Sequence, residues 1–188
     1  MRLTGLNQME MQEVPVPQIR AADDVLLKMA AVGVCGSDIH YYKTGRIGSQ
    51  VVDYPFTVGH EGSAFVEEIG ANVKHVKPGT RVAIEPAISC GECDQCRIGR
   101  PHTCRKLRFL ACPGEAEGCL SEYIVMPERC CYPVDPGISM EQAALLEPLT
   151  IGFYSVKRSI ALKGASIAIL GSGPIGFSVM VCARAMGA

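Results

Sequence analysis

The sequence predicts a mixed fold, in which a β-rich domain is followed by the start of an α/β unit. Short apolar segments separated by turn residues occupy positions 24–134, and strands spaced in this way indicate a small barrel or sandwich. From Ser139 onward the apolar pattern becomes helical, and a glycine-rich turn follows at 171–176. We therefore expect two domains, at 1–145 and 146–188, and we expect the second to be incomplete.

Four segments of the first domain have the composition of strands. They are VLLKMAAVGV at 25–34, EGSAFVEEIG at 61–70, RVAIE at 81–85 and LSEYIVM at 120–126. Residues 77–80 carry the proline and glycine of a tight turn before the third segment. Near the end of the domain, Ser139 and Gln142 have the spacing of a capping box, which predicts that a helix begins there.

The second domain has the pattern of a strand, a glycine turn and a helix. Residues 167–170 predict a buried strand, and the helix after the turn is expected to reach the last residue. In a nucleotide-binding βαβ unit, Gly171 tightens such a turn, Gly173 admits a pyrophosphate, and Gly176 lets the helix approach the strand. An ordinary glycine-rich turn is the alternative.

Charge and hydropathy exclude several classes of function. The chain has 18 basic and 19 acidic side chains, and the net charge of -1 provides no field that would hold nucleic acid or an anionic membrane. No apolar run is long enough for a signal-peptide core or a membrane span. We therefore expect a cytoplasmic protein, with neither a nucleic-acid nor a membrane partner, whose ten cysteines stay reduced.

Four of those cysteines have the spacing of a metal site; they are Cys90, Cys93, Cys96 and Cys104. Four thiolates at these separations can surround one zinc ion and leave no open position for water, which indicates a structural site. The alternative is a set of four unrelated buried thiols. Basic residues in or beside the loop are expected to offset the charge of the zinc–thiolate group; they are Arg97, Arg100, Arg105, Lys106 and Arg108.

A second constellation consists of Cys35, His60, Glu61 and Glu147. Each residue taken singly has a simpler explanation, such as a buried thiol, a satisfied histidine or a surface charge on a helix. Together they provide the mixed cysteine, histidine and carboxylate ligands of an open catalytic zinc site. Such a site performs Lewis-acid chemistry, in which a bound oxygen loses its proton near neutral pH.

Taken in order, the motifs resemble those of the zinc-dependent medium-chain dehydrogenases. They are C-G-S-D-I-H at 35–40, G-H-E at 59–61, C-x2-C-x2-C-x7-C at 90–104 and A-I-L-G-x-G-P-I-G at 168–176. Within this family, residues 35–42 and 45–48, together with Glu147 and Pro148, resemble the sorbitol, L-iditol and xylitol dehydrogenase branch. Threonine and simple-alcohol dehydrogenases are close competitors.

The resemblance covers positions 14–188 and implies a GroES-like β-barrel catalytic domain followed by the start of a Rossmann domain. It implies two zinc ions per chain and NAD, with NADP as the alternative. The implied reaction is the reversible oxidation of a secondary hydroxyl of a polyol to a ketose, with hydride transfer to the nicotinamide. The implied partners are a small polyol or alcohol and, in the full-length form, further copies of the chain in a dimer or tetramer.

Members of this family are longer, so the chain is expected to end inside the Rossmann domain, before the residue that contacts the ribose. A catalytically silent zinc-binding module is therefore the alternative to an active dehydrogenase. The two functions differ in turnover, because a silent module would bind zinc without oxidising any alcohol.

The resemblance also assigns the ligands of the catalytic zinc. Cys35 and His60 would ligate the ion, with Glu61 as a further ligand. Glu147 would either touch the metal or hydrogen-bond the water bound to it, and would also contact the substrate. Asp38 would accept a hydrogen bond from His60, so that the other ring nitrogen faces the metal.

Proton transfer and ligand binding are assigned to further residues. Ser37 would begin the proton relay, and His40 would pass the proton toward solvent. The candidate substrate contacts are Tyr41, Arg46 and Phe109. The residues that match the pyrophosphate turn are Gly171, Gly173, Pro174, Ile175 and Gly176.

Two features depart from the family pattern. Ala64 replaces the last glycine of G-H-E-x-x-G, which is harmless where φ is negative and costly where φ is positive. Five cysteines match no ligand position and are expected to be thiols of the core; they are Cys112, Cys119, Cys130, Cys131 and Cys182.

Overall fold

The structure is a computed structural model that describes residues 1–159 and 161–188. It divides the chain into two compact units, Met1–Ala144 and Leu145–Ala188, one residue before the boundary expected from the sequence. None of the described helices is both long and apolar enough to cross a membrane.

The first unit contains the strands of the described residues. They are β1 (Arg2–Gly5), β2 (Gln8–Glu10), β3 (Asp24–Gly33), β4 (Arg46–Ile47), β5 (Gln50–Val51), β6 (Glu61–Ile69), β7 (Arg81–Ile84), β8 (Ala87–Ile88), β9 (Arg108–Phe109), β10 (Tyr123–Pro127) and β11 (Cys131–Pro133). Its α-helices are α1 (Gly36–Thr44), α2 (Asp94–Arg97) and α3 (Met140–Ala144), and the second unit contains α4 (Leu146–Lys157) and α5 (Pro174–Ala185). Short 3-10 helices span Pro101–Thr103 and Glu128–Cys130.

A five-stranded antiparallel sheet, in the order β10-β3-β6-β7-β11, organises the first unit. The long pair β3 and β6 has a register that places Gly33 beside Glu61 and Met29 beside Ala64. The other strands form three two-stranded sheets, β1-β2, β4-β5 and β8-β9. The four segments predicted to be strands are confirmed as β3, β6, β7 and β10.

Two apolar clusters stabilise the first unit. The larger one packs side chains of the central sheet, among them Val25, Leu27, Val66 and Val82. The smaller one consists of Leu3, Tyr41, Val52, Phe56 and Val58. Tyr41 is only 3% exposed, and its ring meets the edge of the Phe56 ring at a centroid distance of 6.4 Å. Burial of this tyrosine anchors α1, the helix that follows Cys35.

Two local predictions can be checked directly against the backbone. The Ser139 N–H donates to Gln142 Oε1 at 2.8 Å and the Gln142 N–H donates to Ser139 Oγ at 3.2 Å, so the capping box is confirmed. Ala64 lies fully buried in β6, and Asn7 and Ala111 are the described non-glycine residues with positive φ. Alanine at position 64 therefore carries no backbone strain.

The second unit is built from α4 and α5. A small apolar cluster joins them, formed by Val156, Leu162, Cys182 and Ala183. The helices approach closely at Gly152, where a Cβ atom would lie 2.6 Å from the carbonyl carbon of Ser178. Any larger side chain at position 152 would push the helices apart.

The strand predicted at 167–170 is wrong for the described structure, which has no strand there. Leu170 is fully exposed and Ile167 is 41% exposed, whereas a buried strand would cover both side chains. A strand requires a neighbour that exchanges backbone hydrogen bonds with it, and nothing within 1–159 or 161–188 pairs with this segment. The local pattern alone therefore does not make a strand.

Candidate active site

Three side chains converge at the end of the β3–β6 pair. The ligand atoms of Cys35, His60 and Glu61 all lie within 4.8 Å of one another. Cys35 immediately precedes α1, and Glu61 is the first residue of β6. His60 and Glu61 are buried, and Cys35 is half-buried. A thiolate, an imidazole and a carboxylate at this separation fit one zinc ion and leave a position for a bound oxygen.

Asp38 connects the two segments that carry these ligands. Its buried carboxylate accepts the backbone N–H of Cys35 at 2.9 Å and that of Gly59 at 3.0 Å. The hydrogen bond expected from His60 is not formed, because His60 Nδ1 lies 4.0 Å from Asp38 Oδ1, beyond hydrogen-bond distance. Both oxygens of the Asp38 carboxylate accept backbone N–H groups. The carboxylate therefore links the backbone segment that carries Cys35 to the one that carries His60.

Gly33 provides the space that the Glu61 carboxylate occupies. A Cβ atom at position 33 would lie 2.2 Å from Glu61 Oε2 and 3.0 Å from Glu61 Cβ. No side chain fits at that distance, so the absence of a Cβ at Gly33 lets Glu61 turn toward Cys35 and His60. Sequence reasoning missed this role, although the glycine in V-G-V-C two residues before the cysteine was visible.

One of the three ligand residues, His60, lies in the wall of a pocket of about 510 Å³. Ser37, Tyr41 and Phe109 also line it, so the structure brings together three residues that were predicted separately. The Phe109 ring lies 5.5 Å from the His60 ring, edge to face at 61°. A volume of this size suits a small organic substrate.

The pocket wall also contains three polar residues that sequence reasoning did not place there. They are Gln50, Cys112 and Glu115. Cys112 was expected to be a core thiol; it is buried, with 6% of its surface exposed, and it also lines the pocket. No local motif marks these positions, because Gln50 reaches the pocket from β5, whereas Cys112 and Glu115 reach it from the turn after β9.

Two predicted residues lie outside the pocket wall. His40 is exposed on α1, and its backbone carbonyl accepts a hydrogen bond from Thr44 Oγ1 at 2.8 Å. Arg46 is exposed, and its guanidinium donates to the carbonyl of Gly48 at 2.6 and 3.0 Å. The relay role of His40 and the substrate role of Arg46 stay predictions.

Glu147 belongs to the second unit. It lies in the first turn of α4, where it is half-buried, and its backbone carbonyl accepts a hydrogen bond from Thr150 Oγ1 at 2.7 Å. A carboxylate in the first turn of a helix is stabilised by the positive end of the helix dipole. Its place at the metal or the substrate stays a prediction.

The four clustered cysteines meet at one point. Their sulfurs all lie within 4.8 Å of one another, with Cys93–Cys96 at 3.5 Å, Cys93–Cys104 at 3.9 Å and Cys90–Cys104 at 3.4 Å. A tetrahedron with Zn–S bonds of about 2.3 Å has S···S edges of about 3.8 Å, so the spacing fits one zinc ion. Four unrelated thiols would not converge in this way.

Hydrogen bonds from backbone groups lower the pKa of Cys93 and of Cys104, whereas desolvation raises the pKa of Cys96 to about 12. The backbone N–H groups of Arg105 and Cys96 lower the pKa of Cys93 to about 6. The Arg105 guanidinium binds Asp94 at 2.6 Å, and the Lys106 ammonium binds Glu92 at 2.8 Å. The loop therefore neutralises part of its basic charge with its own carboxylates, and the remainder is available to offset thiolates.

All five unassigned cysteines are confirmed as buried thiols, and four of them are not part of the pocket wall. These four are Cys119, Cys130, Cys131 and Cys182. Burial raises the pKa of the first three to about 12, which keeps them protonated and unreactive at neutral pH.

The glycine turn leads directly into α5. Gly173 precedes the first helical residue, Pro174, and a Cβ at Gly173 would meet no atom within 4 Å. At Gly176, a Cβ would lie 2.0 Å from the carbonyl oxygen of Gly171. Gly171 itself has a positive φ of 111°. The turn is therefore open where a pyrophosphate would approach and tight where the helix crosses the preceding segment. Its binding role stays a prediction.

Comparisons with known proteins agree with this geometry. Residues 21–136 match the alcohol dehydrogenase GroES-like domain. The chain is 41% identical over 181 residues to a sorbitol dehydrogenase from Bacillus subtilis, which covers 96% of the chain and 51% of that relative. It is 38% identical over 185 residues to D-xylulose reductase A from Aspergillus oryzae, with coverage of 98% and 51%. The chain belongs to the zinc-dependent medium-chain dehydrogenases.

A solved structure supports the fold of this medium-chain dehydrogenase. A Sinorhizobium meliloti protein described as a zinc-binding dehydrogenase, bound to NADP, superposes with a TM-score of 0.85 and 33% identity over 100% of the chain and 53% of its own length. The mixed fold, a GroES-like domain followed by the start of a Rossmann domain, is thereby confirmed. Zinc and NAD(P) are supported for the family as a whole. The chain spans about half the length of the curated relatives it matches.

Proposed function

We propose that this medium-chain dehydrogenase oxidises a secondary hydroxyl of a polyol of the sorbitol and xylitol class and passes the hydride to NAD(P). The observation that carries the proposal is the convergence of Cys35, His60 and Glu61, of which His60 lines a pocket together with Ser37 and Tyr41. The names of two relatives, a sorbitol dehydrogenase and a D-xylulose reductase, support the same substrate class.

The chain's own residues position the substrate and move its proton. Zinc held by Cys35, His60 and Glu61 would supply Lewis-acid polarisation of the reacting hydroxyl. The Ser37 hydroxyl, in the same pocket, accepts the proton of that group as it gives up its own, and exposed His40 on the same helix takes up the released proton and passes it to solvent. Phe109 covers the His60 ring and excludes water from that side.

The second zinc ion belongs to the loop at 90–104 in this proposal, where four thiolates close the coordination shell. NAD is proposed over NADP, with its pyrophosphate at the N-terminus of α5. Ten free thiols support a reducing compartment, the cytoplasm. A dimer or tetramer is proposed for the full-length form.

A substrate panel tests the proposal against its competitors. Reduction of NAD and of NADP is followed with sorbitol, xylitol, threonine and a simple primary alcohol. We expect turnover with the polyols, and a higher kcat/KM for NAD, from the full-length form, whereas residues 1–188 alone should show little or no polyol-dependent NAD reduction. A higher kcat/KM for threonine or the simple alcohol than for the polyols would assign the protein to another branch of the family. Zinc binding without turnover on any of the four substrates, in the full-length form as well, would establish the silent module instead.

Glu147 provides the sharpest test of polyol selection. A carboxylate beside the reacting oxygen accepts a hydrogen bond from a neighbouring hydroxyl, which polyols carry and simple alcohols lack. In the full-length form, Glu147→Gln should therefore lower kcat/KM for sorbitol or xylitol by about a hundredfold or more. A solvated helix carboxylate predicts values within about twofold of the wild type. Equal losses for a polyol and a simple alcohol would deny Glu147 any part in selection.

A further inference from the structure

A chain of polar side chains crosses one wall of the pocket. Tyr41 Oη donates to Gln50 Oε1 at 3.0 Å, and Gln50 Nε2 donates to Cys112 Sγ at 2.8 Å. All three residues line the pocket, together with His60 and Ser37. Tyr41 and Cys112 are 3% and 6% exposed, whereas Gln50 is half-buried. Tyr41 and Cys112, at the two ends of this hydrogen-bonded series, are thus held by burial, whereas Gln50 between them is more accessible from the pocket.

The two anchors hold the Gln50 amide in one orientation. Burial and the Glu115 carboxylate raise the pKa of Cys112 to about 11, so this sulfur is a neutral thiol at physiological pH. A neutral thiol is a weak acceptor for the amide N–H, and the tyrosine hydroxyl donates to the amide oxygen. The amide nitrogen therefore points to Cys112 and the amide oxygen points to Tyr41.

These contacts use only half of the hydrogen-bonding capacity of the amide. A glutamine side chain has two N–H donors and two acceptor lone pairs. Within the described residues, Gln50 uses one donor on Cys112 and one lone pair on Tyr41. One donor and one lone pair stay available, and a hydroxyl group, which both donates and accepts, satisfies both. The pocket therefore carries a second recognition point for a hydroxyl besides the zinc ligands.

We infer that Gln50 is a specificity-determining residue that recognises a substrate hydroxyl other than the one that reacts, and that Tyr41 and Cys112 are its positioning residues. The inference rests on the proposed polyol dehydrogenase function. A polyol places one hydroxyl at Cys35, His60 and Glu61 and a second at Gln50. A mono-alcohol of the same length leaves the amide groups of Gln50 unpaired, which costs affinity when the pocket is filled.

Nuclear magnetic resonance on the zinc-loaded, 15N-labelled chain tests this inference without relying on turnover. The ligands are xylitol and 2-pentanol, which have equal carbon number and share a secondary hydroxyl. Backbone amides of Cys35 and His60 report occupancy of the zinc site, and the side-chain amide of Gln50, identified by its loss in Gln50→Met, reports the second contact. We expect xylitol to shift both sets of signals and 2-pentanol to shift only the first.

Variants make the test quantitative. Gln50→Met should raise the Kd of xylitol by about tenfold and that of 2-pentanol by less than about twofold. Gln50→Asn, which keeps the amide but withdraws it by one methylene, should change the ratio of the two Kd values in the same direction. Gln18→Met, the same exchange as Gln50→Met on an exposed glutamine, should leave both values unchanged.

Three outcomes overturn the inference, and they show whether the proposed function fails with it. Shifts at Cys35 and His60 with xylitol, but none at the Gln50 amide, would leave the proposed function standing and remove Gln50 from substrate recognition. Equal weakening of xylitol and 2-pentanol in Gln50→Met would do the same. No shift at Cys35 or His60 with either ligand would overturn the proposed function, and the role of Gln50 with it.

Discussion

At the scale of single residues, Gly33 decides whether Glu61 can join the other two ligands. A methyl group at position 33 would lie 2.2 Å from Glu61 Oε2, so Gly33→Ala must displace the carboxylate. We expect the zinc affinity of the Cys35 site to fall by about tenfold or more, measured by competition with a chromophoric chelator. Gly36→Ala is the matched control, because a Cβ there meets nothing within 4 Å. Equal zinc affinities in the two variants would contradict the assignment.

Asp38 is the second residue on which the site depends. Asp38→Ala leaves the N–H groups of Cys35 and Gly59 without their acceptor, and two unpaired N–H groups in a buried region cost about 2–4 kcal/mol of unfolding free energy. Asp38→Asn retains one oxygen, so it should lose less stability but still lower zinc affinity by about tenfold.

Urea unfolding and zinc competition, each measured on both Asp38 variants, check this expectation. The exposed Asp53→Asn serves as the control. If Asp38→Ala were as stable as the wild type, the carboxylate would have no part in holding the two ligand segments together.

At the scale of elements, we expect the loop at 90–104 to depend on a bound zinc ion for its stability. It contains only a four-residue helix, α2, and one 3-10 turn, so four zinc–thiolate bonds would supply most of its order. Cys93→Ser should therefore lower the midpoint of thermal unfolding of the zinc-loaded protein by about 5 °C or more.

Zinc removal provides the control for that substitution. After exhaustive chelation, the wild type and Cys93→Ser should unfold at the same temperature, because the thiol then has no ion to bind. A difference that persists without zinc would assign the effect to packing of the Cys93 side chain and not to coordination.

At the scale of the whole molecule, the two candidate metal sites differ in how they are closed. The cysteine loop offers four ligands, whereas the Cys35 site offers three and opens into a pocket. We expect two zinc ions per chain, one released quickly by mild chelation and one retained until unfolding. Elemental analysis and release kinetics measure both. At most one ion per chain, unchanged in Cys90→Ser, would remove the structural site.

Local patterns determined much of this molecule from the sequence alone. The alternation of apolar residues predicted β3, β6, β7 and β10, and the spacing of Ser139 and Gln142 predicted the capping box. The spacing of the four cysteines predicted that their sulfurs would meet. Each of these features depends on residues that are close along the chain, where backbone geometry limits the possible arrangements.

Tertiary structure alone decided the features that join distant residues. Gln50 and Cys112 are 62 positions apart, and only the packing of β5 against the loop after β9 places both in one pocket wall. The register of β3 and β6 places Gly33 beside Glu61, where its lack of a Cβ leaves room for the carboxylate. Tertiary packing likewise places the Asp38 carboxylate within hydrogen-bond distance of the Gly59 N–H and beyond that distance from His60. The segment 167–170 shows the converse: its composition suits a strand, but a strand exists only where a neighbour completes its hydrogen bonds.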